Sequence, residues 1–204
     1  MIAIIDYGVG NLYSLSRSLD SLNLENKVTR DEAELRSADK IILPGVGAFG
    51  DAMAKLGGTG LVPVVRERAS AGVPLLGICL GMQLLFKKGY EYGEHDGLGL
   101  LTGEVKPMLR DLPPGLKVPH IGWNALNIRR ECPILKYVRE GDCVYYVHSF
   151  YAAGCEDEVV ATSEYGVPVP GVVQRDSVYG TQFHPEKSGR VGLSILKAFG
   201  EVGA

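Results

Sequence analysis

One stretch of the sequence decides the fold, Val73-Pro74-Leu75-Leu76-Gly77-Ile78-Cys79-Leu80-Gly81-Met82-Gln83. Its first half is a short apolar run typical of a buried strand, and its second half begins a helical pattern. Cys79 lies between the two with a glycine two residues away on each side, so a tight strand-to-helix turn can form there. This arrangement is a nucleophile elbow, which presents a reactive side chain at the end of a strand.

Strands and helices alternate from the amino terminus to this elbow. The predicted strands are Ile2–Ile5, Lys27–Thr29, Lys40–Leu43 and Leu75–Ile78. The predicted helices are a segment with leucines at 12, 15, 19 and 22, Asp31–Ala38, Phe49–Leu56, Leu61–Ala71 and a helix through Phe86. This alternation predicts an α/β fold with a parallel sheet covered by helices on both faces.

The second half of the chain has a different pattern of residues. From about Val105 onward, short β-rich runs separated by Pro and Gly indicate antiparallel or mixed strands. They are Ala125–Ile128, Val144–Val147, Val159–Thr162, Gly171–Gln174 and Val178–Phe183. A helix with Val191, Ile195 and Phe199 on one face closes the chain. With 204 residues, 46% of them hydrophobic, we expect one domain over residues 1–204.

Composition excludes several classes of function. The 21 Lys and Arg against 24 Asp and Glu give a net charge of -3, so nucleic acid is not an expected partner. The longest charge-free apolar stretch, Val73 to Phe86, is shorter than the roughly 18 residues that a membrane span needs. No signal-peptide pattern opens the chain. The four cysteines show no CxxC spacing and no metal-finger pattern, so we expect reduced thiols in the cytoplasm.

The motif His184-Pro185-Glu186 supplies the groups that a cysteine nucleophile requires. Proline favours an extended conformation before it, so both side chains are expected to project from similar sides of a strand end. His184 can then exchange a proton with Cys79, while Glu186 orients the imidazole and stabilises its charged form. The alternatives are a small core cysteine and a surface histidine beside an unrelated glutamate. The elbow and the motif together favour a Cys-His-Glu triad.

The loop Gly45-Val46-Gly47-Ala48-Phe49-Gly50 matches the dinucleotide fingerprint GxGxxG. We reject that interpretation, because the loop follows the third strand and the acidic residue about 20 positions on lies in a helical pattern. The same glycines can bring a backbone amide of Val46 or Gly47 to the oxyanion formed when Cys79 attacks. The Leu80 amide would be the second donor.

These motifs resemble the class I, or triad, glutamine amidotransferases. Gly77-Ile78-Cys79-Leu80-Gly81-Met82-Gln83 is similar to the family's G-x-C-x-G-x-Q elbow, and His184-Pro185-Glu186 to its H-P-E. Further segments resemble one subfamily, the glutaminase subunits of imidazole glycerol phosphate synthases: Asp6-Tyr7-Gly8-Val9-Gly10-Asn11, Pro44-Gly45-Val46-Gly47-Ala48-Phe49, His120-Ile121-Gly122-Trp123-Asn124 and His148-Ser149-Phe150. Phe150 stands where tyrosine is common. The resemblance spans nearly the whole chain.

The resemblance implies a flavodoxin-like glutaminase domain that hydrolyses glutamine through a glutamyl thioester on Cys79 and needs no cofactor or metal. The ammonia would pass to a HisF-type (β/α)₈-barrel cyclase, the heterodimer partner, which converts PRFAR to imidazole glycerol phosphate and AICAR in histidine biosynthesis. The implied substrate-binding residues are Gln83, Glu91, His148, Ser149 and Phe150.

Two further expectations concern control and docking. A Gly-x-Gly peptide can rotate at low steric cost, so the Val46 amide can serve as a switch that keeps the free subunit nearly idle. Trp123 is either an aromatic anchor at the partner surface or partly buried core. Three rivals stay open at this point: a glutaminase for another synthase, a stand-alone γ-glutamyl cysteine hydrolase, and a catalytically silent subunit.

Overall fold

The computed structural model describes residues 1–203. The strands are β1 Ile2–Ile5, β2 Asn26–Thr29, β3 Lys40–Leu43, β4 Leu75–Ile78, β5 Lys88–Gly89, β6 His95–Asp96, β7 Glu104–Pro107, β8 His120–Ala125, β9 Asn127–Ile128, β10 Cys143–His148, β11 Phe150–Ala153, β12 Val159–Glu164, β13 Pro168–Arg175 and β14 Val178–Thr181. The helices are α1 Leu12–Ser21, α2 Glu32–Ser37, α3 Phe49–Gly58, α4 Val62–Ser70, α5 Leu80–Leu84 and α6 Gly189–Gly200. Short 3₁₀ turns occupy Met108–Arg110, Pro133–Leu135 and Pro185–Lys187.

An eight-stranded sheet in the order β2-β1-β3-β4-β14-β13-β12-β9 forms the centre of the molecule. The pairings from β2 to β14 are parallel, and those from β14 through β13 and β12 to β9 are antiparallel. Two smaller sheets lie beside it, a β8–β10 pair and a four-stranded sheet in the order β11-β7-β5-β6. The predicted α/β fold with a mainly parallel sheet is confirmed.

The central strands are buried on both faces, which explains their continuous apolar runs. Successive strand side chains point to opposite faces, so Ile5 and Leu75 pack under α3 and α4, whereas Ile4 and Leu76 pack under α1 and α6. The amphipathic faces that the sequence predicts for α1 and α6 therefore cover one face of the sheet. No helix within residues 1–203 combines the length and apolarity needed to cross a membrane.

Three predicted elements need correction. The single strand expected at Ala125–Ile128 is two strands, β8 and β9, in different sheets with buried Leu126 between them. The helix after the elbow ends at Leu84 and not at Phe86, and β14 ends at Thr181 and not at Phe183. The sequence did not predict most of β8, because the strand exposes its apolar residues and buries a polar one. Ile121 and Trp123 are exposed, whereas His120 is fully buried.

The topology brings the chemistry to one edge of the sheet. Strands β1, β3, β4 and β14 run parallel, so their carboxyl ends meet at the same edge. The loops and helices that follow these strands carry the segments around Tyr7, Val46, Cys79 and His184. Ligands of open α/β sheets bind at this edge.

Candidate active site

Cys79 has the strained backbone of a nucleophile elbow. Its φ of 54° and ψ of -110° are unusual for a residue that carries a side chain, and such outliers concentrate at functional sites. The conformation is held because the Cys79 amide donates to the Thr181 carbonyl oxygen at 2.7 Å. Gly77 and Gly81 are required on either side, since Gly81 packs against the backbone carbonyl of Leu43 and a Cβ on Gly77 would lie 2.7 Å from the backbone of Met82.

His184 and Glu186 form a buried pair beside this cysteine. The His184 Nδ1 atom lies 2.8 Å from the Glu186 Oε1 atom, and each side chain is only 4% exposed. Burial opposes a charge on His184, but the neighbouring Cys79 and Glu186 groups outweigh it and raise the pKa of the imidazole to about 9. The ring is therefore protonated at neutral pH, and a protonated imidazole favours a negative sulfur next to it.

The route to this pair differs from the expected one. Pro185–Lys187 is a 3₁₀ turn with His184 as its amino-terminal cap, and it lies beyond the end of β14. The side chains of His184 and Glu186 come together because the backbone between them forms a 3₁₀ turn, and not because they lie on one side of an extended strand. The Ser188 hydroxyl supports the turn by donating to the His184 carbonyl oxygen at 2.7 Å.

A cavity of about 360 Å³ opens over the cysteine. It is lined by all the residues predicted for the oxyanion hole and the substrate, together with Cys79 and His184. These are Val46, Gly47, Leu80, Gln83, Glu91, His148, Ser149 and Phe150. Glu186 lies behind His184, and Trp123 is not part of the lining. Pro119, Val147 and Lys187 also line the cavity and were not predicted from the sequence.

The predicted oxyanion loop touches the elbow through backbone atoms. A Cβ on Gly45 would lie 2.6 Å from the Gly81 amide nitrogen, so the loop and the first turn of α5 are in direct contact. Amides in the first turn of a helix have no acceptor within the helix, which leaves the Leu80 N–H available to a ligand. Gly47 has a φ of +94°, and a Cβ built on it would meet no atom within 4 Å.

Tyr7 anchors this loop and was not singled out as a functional residue. Its buried hydroxyl donates to the Pro44 carbonyl oxygen at 2.7 Å. Burial, and then the neighbouring Cys79 charge, raise the pKa of the Tyr7 phenol, which stays a neutral donor. The hydroxyl therefore fixes the residue that precedes Gly45 and Val46.

The remaining lining groups are held by hydrogen bonds before any ligand arrives. One Glu91 carboxylate oxygen accepts from the Phe49 amide at the start of α3, at 2.8 Å. The Gln83 side-chain nitrogen donates to the Phe150 carbonyl oxygen at 3.0 Å. Burial is the main reason that the pKa of His148 falls to about 3, despite its 2.9 Å contact with the Phe150 carbonyl. His148 is therefore neutral, so any carboxylate bound here meets main-chain groups and not a charged ring.

Comparisons with known proteins identify a family for this chain. The family model "Glutamine amidotransferase class-I" matches residues 3–201. The chain belongs to that family. Two solved structures share the fold: a glutamine amidotransferase with a TM-score of 0.75 at 20% identity, covering 98% of this chain and 100% of that one, and PurLQS from Thermotoga maritima with a TM-score of 0.73 at 20% identity, covering 97% and 96%.

Within the family the chain is a glutaminase of the HisH group. It is 49% identical to the imidazole glycerol phosphate synthase subunit HisH of Listeria monocytogenes, over 99% of this chain and 96% of that protein. It is 52% identical to HisH of Moorella thermoacetica, over 98% of this chain and 94% of the relative. The resemblance inferred from the elbow, the H-P-E motif and the HIGWN segment is confirmed.

Proposed function

We propose that the chain hydrolyses glutamine to glutamate and ammonia with Cys79, His184 and Glu186 as a catalytic triad. The observation that carries the proposal is the buried imidazole of His184, which lines the same cavity as the strained elbow cysteine and lies 2.8 Å from the Glu186 Oε1 atom. Amide cleavage needs a nucleophile, which the thiolate supplies, and a proton donor, which the imidazolium supplies.

The reaction proceeds in two halves. The Cys79 sulfur adds to the side-chain amide carbon, and the resulting oxyanion accepts hydrogen bonds from the Leu80 amide and an amide of the Val46–Gly47 loop. His184 gives its proton to the departing nitrogen, so ammonia leaves and a glutamyl thioester remains. His184 then takes a proton from water, which attacks the thioester and releases glutamate and the thiolate.

The cavity suits the polar ends of glutamine. The free oxygen of Glu91 faces the substrate ammonium, and the Gln83 carbonyl oxygen is the amide atom left for a ligand once its nitrogen is bound to Phe150. The main chain of His148, Ser149 and Phe150 holds the substrate carboxylate. A cavity of about 360 Å³ is within the usual range for small-molecule sites, which begins near 300 Å³.

The ammonia passes to a HisF-type (β/α)₈-barrel cyclase, which uses it to convert PRFAR to imidazole glycerol phosphate and AICAR in the cytoplasm. The surface that fits this partner is the outer face of β8 and β10. Ile121 is 57% exposed and Trp123 is 55% exposed, with the Trp123 ring 5.9 Å from Tyr145. Val147, paired with Ile121, lines the substrate cavity, so this apolar face adjoins the site.

The Val46 peptide regulates the reaction. Val46 is 43% exposed, and a Cβ built on Gly47 would meet no atom within 4 Å, so the main chain around the Val46 amide can rotate at low steric cost. One oxyanion donor is worth about 3 to 4 kcal/mol, or roughly 10²- to 10³-fold in rate. Misalignment of this peptide alone keeps the free subunit nearly idle until the partner binds.

The test is a glutaminase assay with and without the barrel partner and its nucleotide substrate. We expect little ammonia from the isolated chain and fast turnover in the complex. Cys79→Ser abolishes glutamine-dependent synthesis and leaves synthesis from added ammonia intact. The matched control is Cys155→Ser, because Cys155 is also a buried free thiol but lies outside the cavity and outside β8 and β10, so its loss leaves both activities unchanged. Full glutamine use by Cys79→Ser would refute the proposal, and full activity without a partner would indicate a stand-alone hydrolase.

A further inference from the structure

Gln182 is a buried polar side chain beside Cys79 that the mechanism above does not use. It follows β14, whose parallel pairing with β4 places Thr181 opposite Ile78. Gln182 and Cys79 therefore stand side by side, one residue beyond the ends of their strands. Gln182 is fully buried, and its backbone amide is fixed by a 2.9 Å hydrogen bond to the Gly171 carbonyl oxygen.

The side chain of Gln182 contacts the reactive sulfur. Its Nε2 atom lies 3.8 Å from the Cys79 Sγ atom, a hydrogen bond at the long end for a sulfur acceptor. Its Oε1 atom accepts from the Gln83 Nε2 atom at 3.0 Å. The carboxamide thus bridges the nucleophile and a residue of the substrate cavity.

The Phe150 carbonyl oxygen fixes the orientation of the side-chain amides of Gln83 and Gln182. The Phe150 carbonyl oxygen can only accept, so the Gln83 group that lies 3.0 Å from it must be the NH₂ end. The same NH₂ group faces Gln182, so the Gln182 atom that faces it must be the carbonyl oxygen. The Gln182 NH₂ group then has to point at the Cys79 sulfur.

We propose that Gln182 is a catalytic residue whose side-chain N–H is donated to the Cys79 sulfur and stabilises its thiolate. The inference rests on the proposed role of Cys79 as the nucleophile. An N–H donor stabilises a negative sulfur more than a neutral thiol or thioester, and burial strengthens the interaction. The donor therefore raises the thiolate population before attack and favours thiolate departure when water cleaves the thioester.

The test is the pH profile of Cys79 alkylation by iodoacetamide in the full chain, with the modified peptide identified by mass spectrometry so that exposed Cys143 is scored separately. Gln182→Met keeps the length of the side chain and removes the donor. We expect the pH profile of this variant to move to higher pH. On the acidic side of the profile, alkylation of Cys79 is slower by about tenfold, which corresponds to the loss of one modest hydrogen bond to a charged group. At high pH the variant equals or exceeds the wild type, because a less stabilised thiolate is the better nucleophile.

A second variant keeps the proposal testable if Gln182→Met does not fold. Gln182→Glu retains the shape and the acceptor toward Gln83 but replaces the donor by a carboxylate oxygen, so its profile moves in the same direction by more. The control is Gln174→Met on the neighbouring strand β13, a partly exposed glutamine outside the cavity, with an unchanged profile.

The outcomes separate the two claims. A wild-type Cys79 that is not protected from alkylation by glutamine overturns the proposed function. A reactive, glutamine-protected Cys79 whose profile is the same in the wild type and in folded Gln182 variants overturns the role of Gln182 alone. Slower alkylation by a constant factor at every pH also overturns it, since that is the result of distorted access and not of a weakened thiolate.

Discussion

Gly45→Ala tests whether the oxyanion loop and the elbow work as one packed unit. The new Cβ would lie 2.6 Å from the Gly81 amide nitrogen, 2.9 Å from the Tyr7 hydroxyl oxygen and 3.0 Å from the Leu80 Cβ. Ordinary Cβ contacts begin at 3.4 Å, so loop and helix must separate by 0.4 to 0.8 Å. The closest atom belongs to the backbone, so movement of a flexible side-chain end cannot relieve this contact.

The expected magnitude follows from that displacement. Overpacking of this kind typically destabilises a protein by about 1–3 kcal/mol. A positioning error near 1 Å is worth about 10²-fold in rate, so a shift of this size lowers kcat for glutamine by about tenfold or more. Under the proposed function, synthesis from added ammonia in the complex stays unchanged, because the partner's reaction would not use the loop.

Urea unfolding and steady-state ammonia release in the partner complex measure both effects. The matched control is Gly57→Ala in α3, where the same methyl group meets open space. That variant keeps its kcat and gains about 0.5–1 kcal/mol of stability, as a helical glycine replaced by alanine does. A Gly45→Ala enzyme with wild-type stability and wild-type kcat would refute the claim that this contact sets the geometry of the site.

Three further predictions follow from the site. Glu186→Gln lowers the pKa of His184, since a charged acceptor becomes neutral, and reduces kcat by about 10²- to 10⁴-fold without changing the fold seen by circular dichroism. Tyr7→Phe leaves the Pro44 carbonyl oxygen without its donor, destabilises the chain by about 1–3 kcal/mol in urea and lowers kcat for glutamine. The pKa of His148 is lowered in the folded state to about 3, so between pH 6.5 and 3 the unfolded chain binds one more proton than the folded chain. As the pH is lowered through this range, the free energy of unfolding therefore decreases by up to about 1.4 kcal/mol per pH unit. In His148→Gln this decrease is smaller.

Local sequence predicted those parts of the site that depend on neighbouring residues. The elbow is encoded within Gly77–Gly81, because a strand end, two glycines and a helix start lie together in the chain. The contact between His184 and Glu186 spans only two residues, so it was predictable even though its 3₁₀ geometry was not. The meeting of Cys79 and His184 depends on the β4–β14 pairing, which no local pattern specifies.

The elements that the sequence did not reveal share physical causes. Strands β5 and β6 have two residues each, too few for an alternating pattern to appear. Strand β8 points Ile121 and Trp123 outward, so its apolar residues do not follow the pattern of a core strand. Tyr7 and Gln182 act through contacts with residues distant in sequence, and a tyrosine or glutamine next to a strand end carries no signature of its own.

Rapid acid quenching of the partner complex during glutamine turnover, followed by peptide mass spectrometry, tests the triad most directly. A glutamyl thioester on the peptide that contains Cys79 is expected, appearing before free glutamate and decaying when glutamine is exhausted. Steady glutamate production at the full rate with no adduct on that peptide, or with the adduct on another residue, would contradict the assignment of Cys79 as the nucleophile.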